Sequence, residues 1–162
     1  MSSQTIELCR PEATQGFSVH KLVANCPPLD TNSMYCNLLQ CSHFAGTSVV
    51  AMLDGELVGS ISGYLIPERP DTLFIWQVAV GDKARGEGLA TRMLAHLLER
   101  PACRQVAYME TTITEANQAS WALFTRFAER RGAPTQKTIQ FDRDRHFGGE
   151  HDSEMLLRIG PF

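Results

Sequence analysis

The sequence predicts an α/β domain with an antiparallel portion, and three observations carry that prediction. Apolar residues alternate with the period of a strand in several short runs and recur at helical spacing in others. The stretch from Trp76 to Ala90 joins an apolar strand to an amphipathic helix through an Arg-Gly-x-Gly turn. Asp54-Gly55 separates two apolar runs, which is the signal for a tight hairpin and so for antiparallel neighbours. A chain of 162 residues is long enough to bury a sizeable core as one domain, and we read residues 1–162 as a single domain.

In chain order, Ile6 to Leu8 can start a strand. Thr14 to Ala24 carries Phe17, Val19, Leu22 and Val23 at helical spacing, and Cys26-Pro27-Pro28 ends that helix because proline rejects a helix interior. A second helix is expected over Thr31 to Phe44, capped by Asp30 or Thr31. Thr47 to Leu53 and Leu57 to Ile66 read as strands on either side of Asp54-Gly55, and Pro67 to Asp71 as a loop. In Leu73 to Val80, Phe74, Trp76, Val78 and Val80 share one face, with Ile75 and Ala79 on the other. Leu89, Met93, Leu94, Leu97 and Leu98 then mark a helix that runs to Arg100 and stops at Pro101. Arg104 to Ile113 alternates as a strand. Ala116 to Arg131 is a helix with Ala119, Leu123, Phe124 and Phe127 inward and Gly132 at its C-terminal end. Thr135 to Phe141 and Glu154 to Ile159 are closing strands around a polar loop, Arg143 to Ser153.

Composition narrows the function. Hydrophobic content of 43% and charged content of 20% describe an ordinary globular protein. The net charge of −3 and the lack of a basic stripe argue against nucleic acid and against an anionic membrane. The longest apolar run, Val49 to Leu53, is far short of a membrane span, and Met1 to Glu12 lacks a signal sequence. A cytoplasmic location is the expectation. Cys9, Cys26, Cys36, Cys41 and Cys103 form no C-x-x-C and pair with no histidine at zinc spacing, so they are expected to be free thiols and no metal is required.

The Arg-Gly-x-Gly turn carries the chemistry. Gly86 and Gly88 let main-chain N–H groups face outward with no Cβ in the way. The helix N-terminus behind them is partially positive, so the two together cradle a phosphate or pyrophosphate. The Rossmann fingerprint fails at Thr91, where a third glycine belongs, and the Gly-Lys-Ser/Thr of a P-loop is absent. Arg85, Gly88 and Ala90 instead fit Arg-x-x-Gly-x-Ala after Val78-Ala79-Val80. This resembles the pyrophosphate loop of the GCN5-related N-acetyltransferases. The resemblance implies their fold, a mixed and mostly antiparallel sheet of about seven strands with helices on both faces. It also implies acetyl-CoA as the co-substrate. The backbone of Val78, Ala79 and Val80 would hold the pantetheine arm, and the amides of Arg85, Gly86, Glu87, Gly88, Leu89 and Ala90 the pyrophosphate. Asn117 and Phe124 would flank the cofactor, although Asn117 reads equally as a helix cap. Phe124 stands where many members carry a tyrosine that protonates the leaving thiolate, and a phenyl ring has no proton to give.

Further blocks are more specific. Cys26-Pro-Pro-Leu-Asp-Thr-Asn-Ser, His43-Phe44, Ile75-Trp-Gln-Val-Ala-Val, Met109-Glu-Thr-Thr-Ile-Thr, Asn117-Gln-Ala-Ser-Trp and Gly148-Gly-Glu-His-Asp resemble the L-2,4-diaminobutyrate acetyltransferases of ectoine biosynthesis. The resemblance implies acetyl transfer to the 4-amino group of that diamine, and a homodimer. It also points to Asp30, Tyr35, Trp76, His151 and Glu154 as substrate residues. Each has a plainer reading: a helix cap for Asp30, packing for Tyr35 and Trp76, a solvated loop for His151 and Glu154. An alkylammonium with a pKa near 10 is no nucleophile until it loses a proton. Glu154 is the expected base and His151 the alternative. A backbone N–H near Val78 would hold the developing oxyanion. Two other readings stay open on the residues alone: an acetyltransferase for another amine or for protein, and a non-catalytic acetyl-CoA-binding module.

Overall fold

The computed structural model describes residues 5–162. They form seven strands, four α-helices and several short 3-10 turns, in the expected order β-α-α-β-β-β-α-β-α-β-β. The strands are β1 (Glu7–Cys9), β2 (Val49–Leu53), β3 (Glu56–Ile66), β4 (Arg69–Val80), β5 (Tyr108–Thr114), β6 (Thr135–Phe141) and β7 (Glu154–Ile159). The helices are α1 (Gly16–Ala24), α2 (Met34–Ser42), α3 (Leu89–Leu98) and α4 (Gln118–Arg130). The sheet order is β1-β2-β3-β4-β5-β7-β6. It is mixed, because β4 and β5 run parallel while β1/β2, β2/β3, β5/β7 and β6/β7 are antiparallel.

The chain divides into two compact units. One comprises the described residues through Leu65 together with Trp76–Arg104, and the other Ile66–Ile75 with Gln105–Phe162. In the first unit, Asp54 (φ 51°) and Gly55 (φ 79°) turn β2 into β3, with Leu53 opposite Glu56. Positive φ at both turn residues is the two-residue hairpin geometry that suits strand twist, and Asp-Gly supplies it. Val19 and Val23 of α1 and Cys41 of α2 pack with Val50, Cys26 and Ala79. Gly59 on β3 gives α3 its seat: a Cβ there would lie 3.0 Å from Leu89 and 3.3 Å from Met93. The start of α3 is therefore anchored by close contact with the sheet.

The second unit pairs β5 with β7 over Met109–Thr114 and β7 with β6 throughout. Phe124, Phe127 and Ala128 are the buried residues of α4. Glu110 on β5 is almost fully buried and accepts hydrogen bonds from Arg69 of β4 and Arg158 of β7. Arg158 also lies over the Tyr108 ring, 3.7 Å from its centroid.

Several expectations are corrected. The segment Pro67 to Asp71 is not all loop, because β4 already begins at Arg69. The second helix starts at Met34, and neither Asp30 nor Thr31 caps it: the Ser33 hydroxyl accepts from the Cys36 N–H at 3.1 Å. Residues Ala13–Gln15 and Ala45–Thr47 are 3-10 turns and lie outside α1 and β2. β5 starts later than expected, and Met109, Glu110 and Thr111 are all buried, so it shows no polar face there. Ala119 is exposed. Gly132 does take a left-handed conformation (φ 64°) just beyond α4, as the sequence suggests. The five cysteines are free, with Cys26, Cys41 and Cys103 buried; burial raises the Cys41 thiol pKa to about 11.

Candidate functional site

The Arg-Gly-x-Gly turn forms the entry to α3. Gly86 (φ 80°) and Gly88 (φ 71°) are both left-handed, and a Cβ at either would meet nothing within 4 Å. Open space lies beside the two positions where glycine is conformationally required. Gly88 is the N-cap of α3, and no side chain caps that end. Main-chain N–H groups at an uncapped helix start are donors in want of an acceptor. Arg85 is tied down by its Nε, which donates to the Val80 carbonyl at 3.1 Å, and by Asp82 at 2.9 Å. These features fit a pyrophosphate held by amides, the chemistry expected of the turn.

The strand leading into the turn carries an aromatic corner in the same unit. Trp76 packs edge-on against Tyr64 (5.9 Å, 90°) and Phe44 (6.4 Å, 77°), and Phe44 meets Tyr64 at 5.8 Å. Trp76 keeps 39% of its surface exposed and Tyr35 keeps 69%, so neither is a core residue. The buried apolar residues of the strand are Leu73, Ile75 and Ala79, on the alternation opposite to Trp76. Burial raises the Tyr64 phenol above its ordinary pKa.

Asp30 lies in the loop before α2, as expected, and its carbonyl accepts from Gln77 Nε2 at 2.7 Å. Gln77 Oε1 accepts from Asn32 Nδ2 at 2.8 Å. Gln77, Phe44 and Tyr64 are not among the expected site residues, although Phe44 and Gln77 fall within the blocks that carry the resemblance. Gln77 had a signal, as the polar residue within the apolar run from 73 to 80.

His151 and Glu154 belong to the second unit. His151 Nδ1 lies 2.6 Å from the Asp152 carbonyl, which can only accept, so Nδ1 carries a proton and Nε2 is the basic nitrogen of the neutral ring. Its ring packs at a tilt against Phe147, with centroids 4.5 Å apart and planes 38° from parallel. Glu154 opens β7 and pairs with Thr114 of β5 and Phe141 of β6. The residues on either side of it, Ser153 and Met155, line a cavity of about 380 Å³ with Glu115, Ile139, Arg143 and Asp152. Asn117 is the cap of α4, its side chain accepting from Ser120 N–H at 3.2 Å. Phe124 is 2% exposed, which is the burial of a packing residue. Among the described residues no group of three His, Cys, Asp or Glu is placed to hold a metal, and no helix is long and apolar enough to cross a membrane.

Comparison with known proteins follows the same lines. Residues 17–128 match the model of the acetyltransferase (GNAT) family. The chain is 56% identical over 157 residues to the L-2,4-diaminobutyric acid acetyltransferase of Methylotuvimicrobium alcaliphilum, covering 97% of this chain and 91% of that protein. It is 49% identical to the protein of the same name from Halomonas elongata, covering 94% and 80%. Among solved structures it resembles the diaminobutyrate acetyltransferase EctA of Paenibacillus lautus, with a TM-score of 0.93 and 38% identity over 98% of this chain and 96% of that one. That structure is a complex with L-2,4-diaminobutyric acid and coenzyme A.

Proposed function

Because the chain belongs to the GNAT acetyltransferases, and within them to the diaminobutyric acid acetyltransferases, we propose that it transfers an acetyl group from acetyl-CoA to the 4-amino group of L-2,4-diaminobutyrate. The product is N4-acetyl-L-2,4-diaminobutyrate, a precursor of ectoine. The carrying observation is the near-full-length likeness to an enzyme solved with diaminobutyric acid and coenzyme A. The uncapped, glycine-lined start of α3 supports the coenzyme half of that reading independently.

Bound acetyl-CoA supplies an electrophilic thioester carbonyl and a thiolate leaving group, whose thiol has an ordinary pKa of about 8.5. The chain supplies the rest. The amides of Arg85 to Ala90 bind pyrophosphate, and the main chain of Val78 to Val80 holds the pantetheine arm. Asn117 and Phe124 flank the cofactor on α4, Phe124 by packing. Asp30 and Glu154 recognise ammonium groups of the substrate, with Tyr35 and Trp76 as aromatic walls. Glu154 accepts the proton that the 4-ammonium group must lose before nitrogen attacks, and His151, through Nε2, is the second choice for that step. The nitrogen–carbon bond forms as the carbon–sulfur bond breaks, the nitrogen's second surplus proton passes to the departing thiolate, directly or through water, and a main-chain N–H near Val78 stabilises the oxygen that gains charge. Holding both reactants in place contributes much of the acceleration.

We further propose that the chain works as a single acetyltransferase domain, as a homodimer, in the cytoplasm, and without nucleic acid or membrane partners. The support here is the resemblance together with the net charge of −3. Light scattering on the purified protein tests the dimer. Mass spectrometry of the product from diaminobutyrate and acetyl-CoA, with the acetylated nitrogen assigned, tests the activity. Acetylation of the 4-nitrogen is the expected result, and no product, or acetylation at the α-nitrogen, overturns the assignment.

A further inference from the structure

Gln77 is a polar residue in the apolar run from 73 to 80, on the same alternation as the buried Leu73, Ile75 and Ala79. Such a residue lowers the apolar burial of its strand and calls for compensating hydrogen bonds. It has them at three points. Its main-chain N–H donates to Ser62 Oγ of β3 at 3.2 Å. Its carboxamide spends one end on each of two groups about 45 positions away in sequence: Nε2 donates to the Asp30 carbonyl at 2.7 Å, and Oε1 accepts from Asn32 Nδ2 at 2.8 Å. The segment it holds has no regular secondary structure, running from Asp30 to the Ser33 cap of α2. One hydrogen bond would leave such a segment free to pivot, whereas two bonds from one rigid planar amide fix its rotation as well as its distance. The strand residue beside Gln77 is Trp76.

We propose that Gln77 is a positioning residue for substrate recognition: its carboxamide holds the Asp30–Asn32 segment in the arrangement in which Asp30 meets an ammonium group of the diamine. This rests on the reading of Asp30 as a substrate contact. The amide is required for its asymmetry. A carboxylate at the same place offers an acceptor where the Asp30 carbonyl needs a donor, and an apolar side chain offers neither.

The test is steady-state kinetics on diaminobutyrate and acetyl-CoA for wild type, Asp30→Asn, Asn32→Ala, Gln77→Ala and Gln77→Glu. Gln77→Ala should raise KM for diaminobutyrate about tenfold, the loss expected for two neutral hydrogen bonds, with KM for acetyl-CoA unchanged. Gln77→Glu should show a similar defect at neutral pH. That defect, relative to wild type, should shrink as pH falls towards a carboxyl pKa of about 4.3, because the protonated acid regains a donor and an acceptor. The Gln77→Ala defect should stay constant with pH. A residue that merely supports the fold would shift both KM values and show no such recovery. Should Gln77→Ala fail to fold, Asn32→Ala decides, since it removes one of the two bonds and leaves β4 intact; a diaminobutyrate KM equal to wild type then overturns the proposal. If Asp30→Asn alone is without effect, the substrate role of Asp30 falls and the Gln77 proposal falls with it. If Asp30→Asn raises KM and the Gln77 variants do not, only the Gln77 assignment is overturned.

Discussion

Asp30 sits three residues ahead of the residue that caps α2, and that offset changes what it can be. Asp30, Thr31, Asn32 and Ser33 differ little as caps by type. Which one serves depends on which hydroxyl or carboxylate reaches the N–H of the third helical residue, and that is Ser33. A cap role is thereby removed from Asp30. Charged hydrogen bonds contribute about 1.5–3 kcal/mol. Asp30→Asn and Glu154→Gln should therefore each lower kcat/KM for diaminobutyrate by at least about tenfold, at ~1.4 kcal/mol per decade, with acetyl-CoA affinity preserved. Near-normal turnover in both would remove them from the site. The proton acceptor is separable by pH. A base must be unprotonated, so kcat/KM falls as pH drops through its pKa. An acid limb of the kcat/KM profile that disappears in Glu154→Gln is expected, and a limb that persists in Glu154→Gln but disappears in His151→Asn assigns the base to His151. At this scale the sequence revealed residue types through resemblance. It did not reveal Gln77, whose two partners lie 45 and 47 positions away.

At the scale of elements, α3 and its entry were the most legible part of the chain, because the signal there is local. Two glycines, a Val-x-Val strand and an amphipathic repeat need no distant partner to be recognised. The hairpin at Asp54-Gly55 was legible for the same reason. The start of β4 was not. Pro67, Glu68 and Pro70 suggest a loop, but proline is tolerated where a strand end has no ladder bond to donate, and β4 takes in Pro70. β5 lacks a polar alternation because Glu110 and Thr111 are buried along with Met109. The α3 entry supports a prediction about the element as a whole. Gly88→Val places a side chain in open space, so no clash is introduced within the chain. The left-handed φ of 71° costs roughly 1–2 kcal/mol for a residue with a Cβ. The larger effect falls on binding, since the side chain stands where pyrophosphate approaches the amides. At a hundred times its Kd, acetyl-CoA should stabilise wild type by about 2.7 kcal/mol through mass action. Thermal shift with and without acetyl-CoA should show that gain in wild type and lose it in Gly88→Val, while the variant still melts cooperatively. An undiminished shift would place the cofactor elsewhere.

At the scale of the whole molecule, acid stability is set by groups that only the folded chain brings together. Glu110 meets Arg69 and Arg158, which are 41 and 48 positions away in sequence, and no local pattern announces that trio. Burial alone would raise the Glu110 carboxyl. Hydrogen bonds and charge from Arg69 and Arg158 outweigh it, and the net pKa is lowered from its ordinary value. A carboxyl depressed in the folded state contributes stability above its unfolded pKa, near ~4.3, and loses that contribution as pH falls through the folded value. Glu110→Gln removes the charge and leaves two guanidinium groups without their anion. Breaking a fully buried pair costs about 3–5 kcal/mol; Arg69 keeps 48% of its side chain exposed, so about 2–3 kcal/mol is expected near pH 7. The gap between wild type and variant should then narrow as pH drops from about 5 to 3, because wild type loses a contribution that the variant never had. Denaturant unfolding at a series of pH values measures that gap directly. A gap that stays constant from neutral to acid pH would mean that shape and packing at Glu110, and not its charge, hold β4, β5 and β7 together.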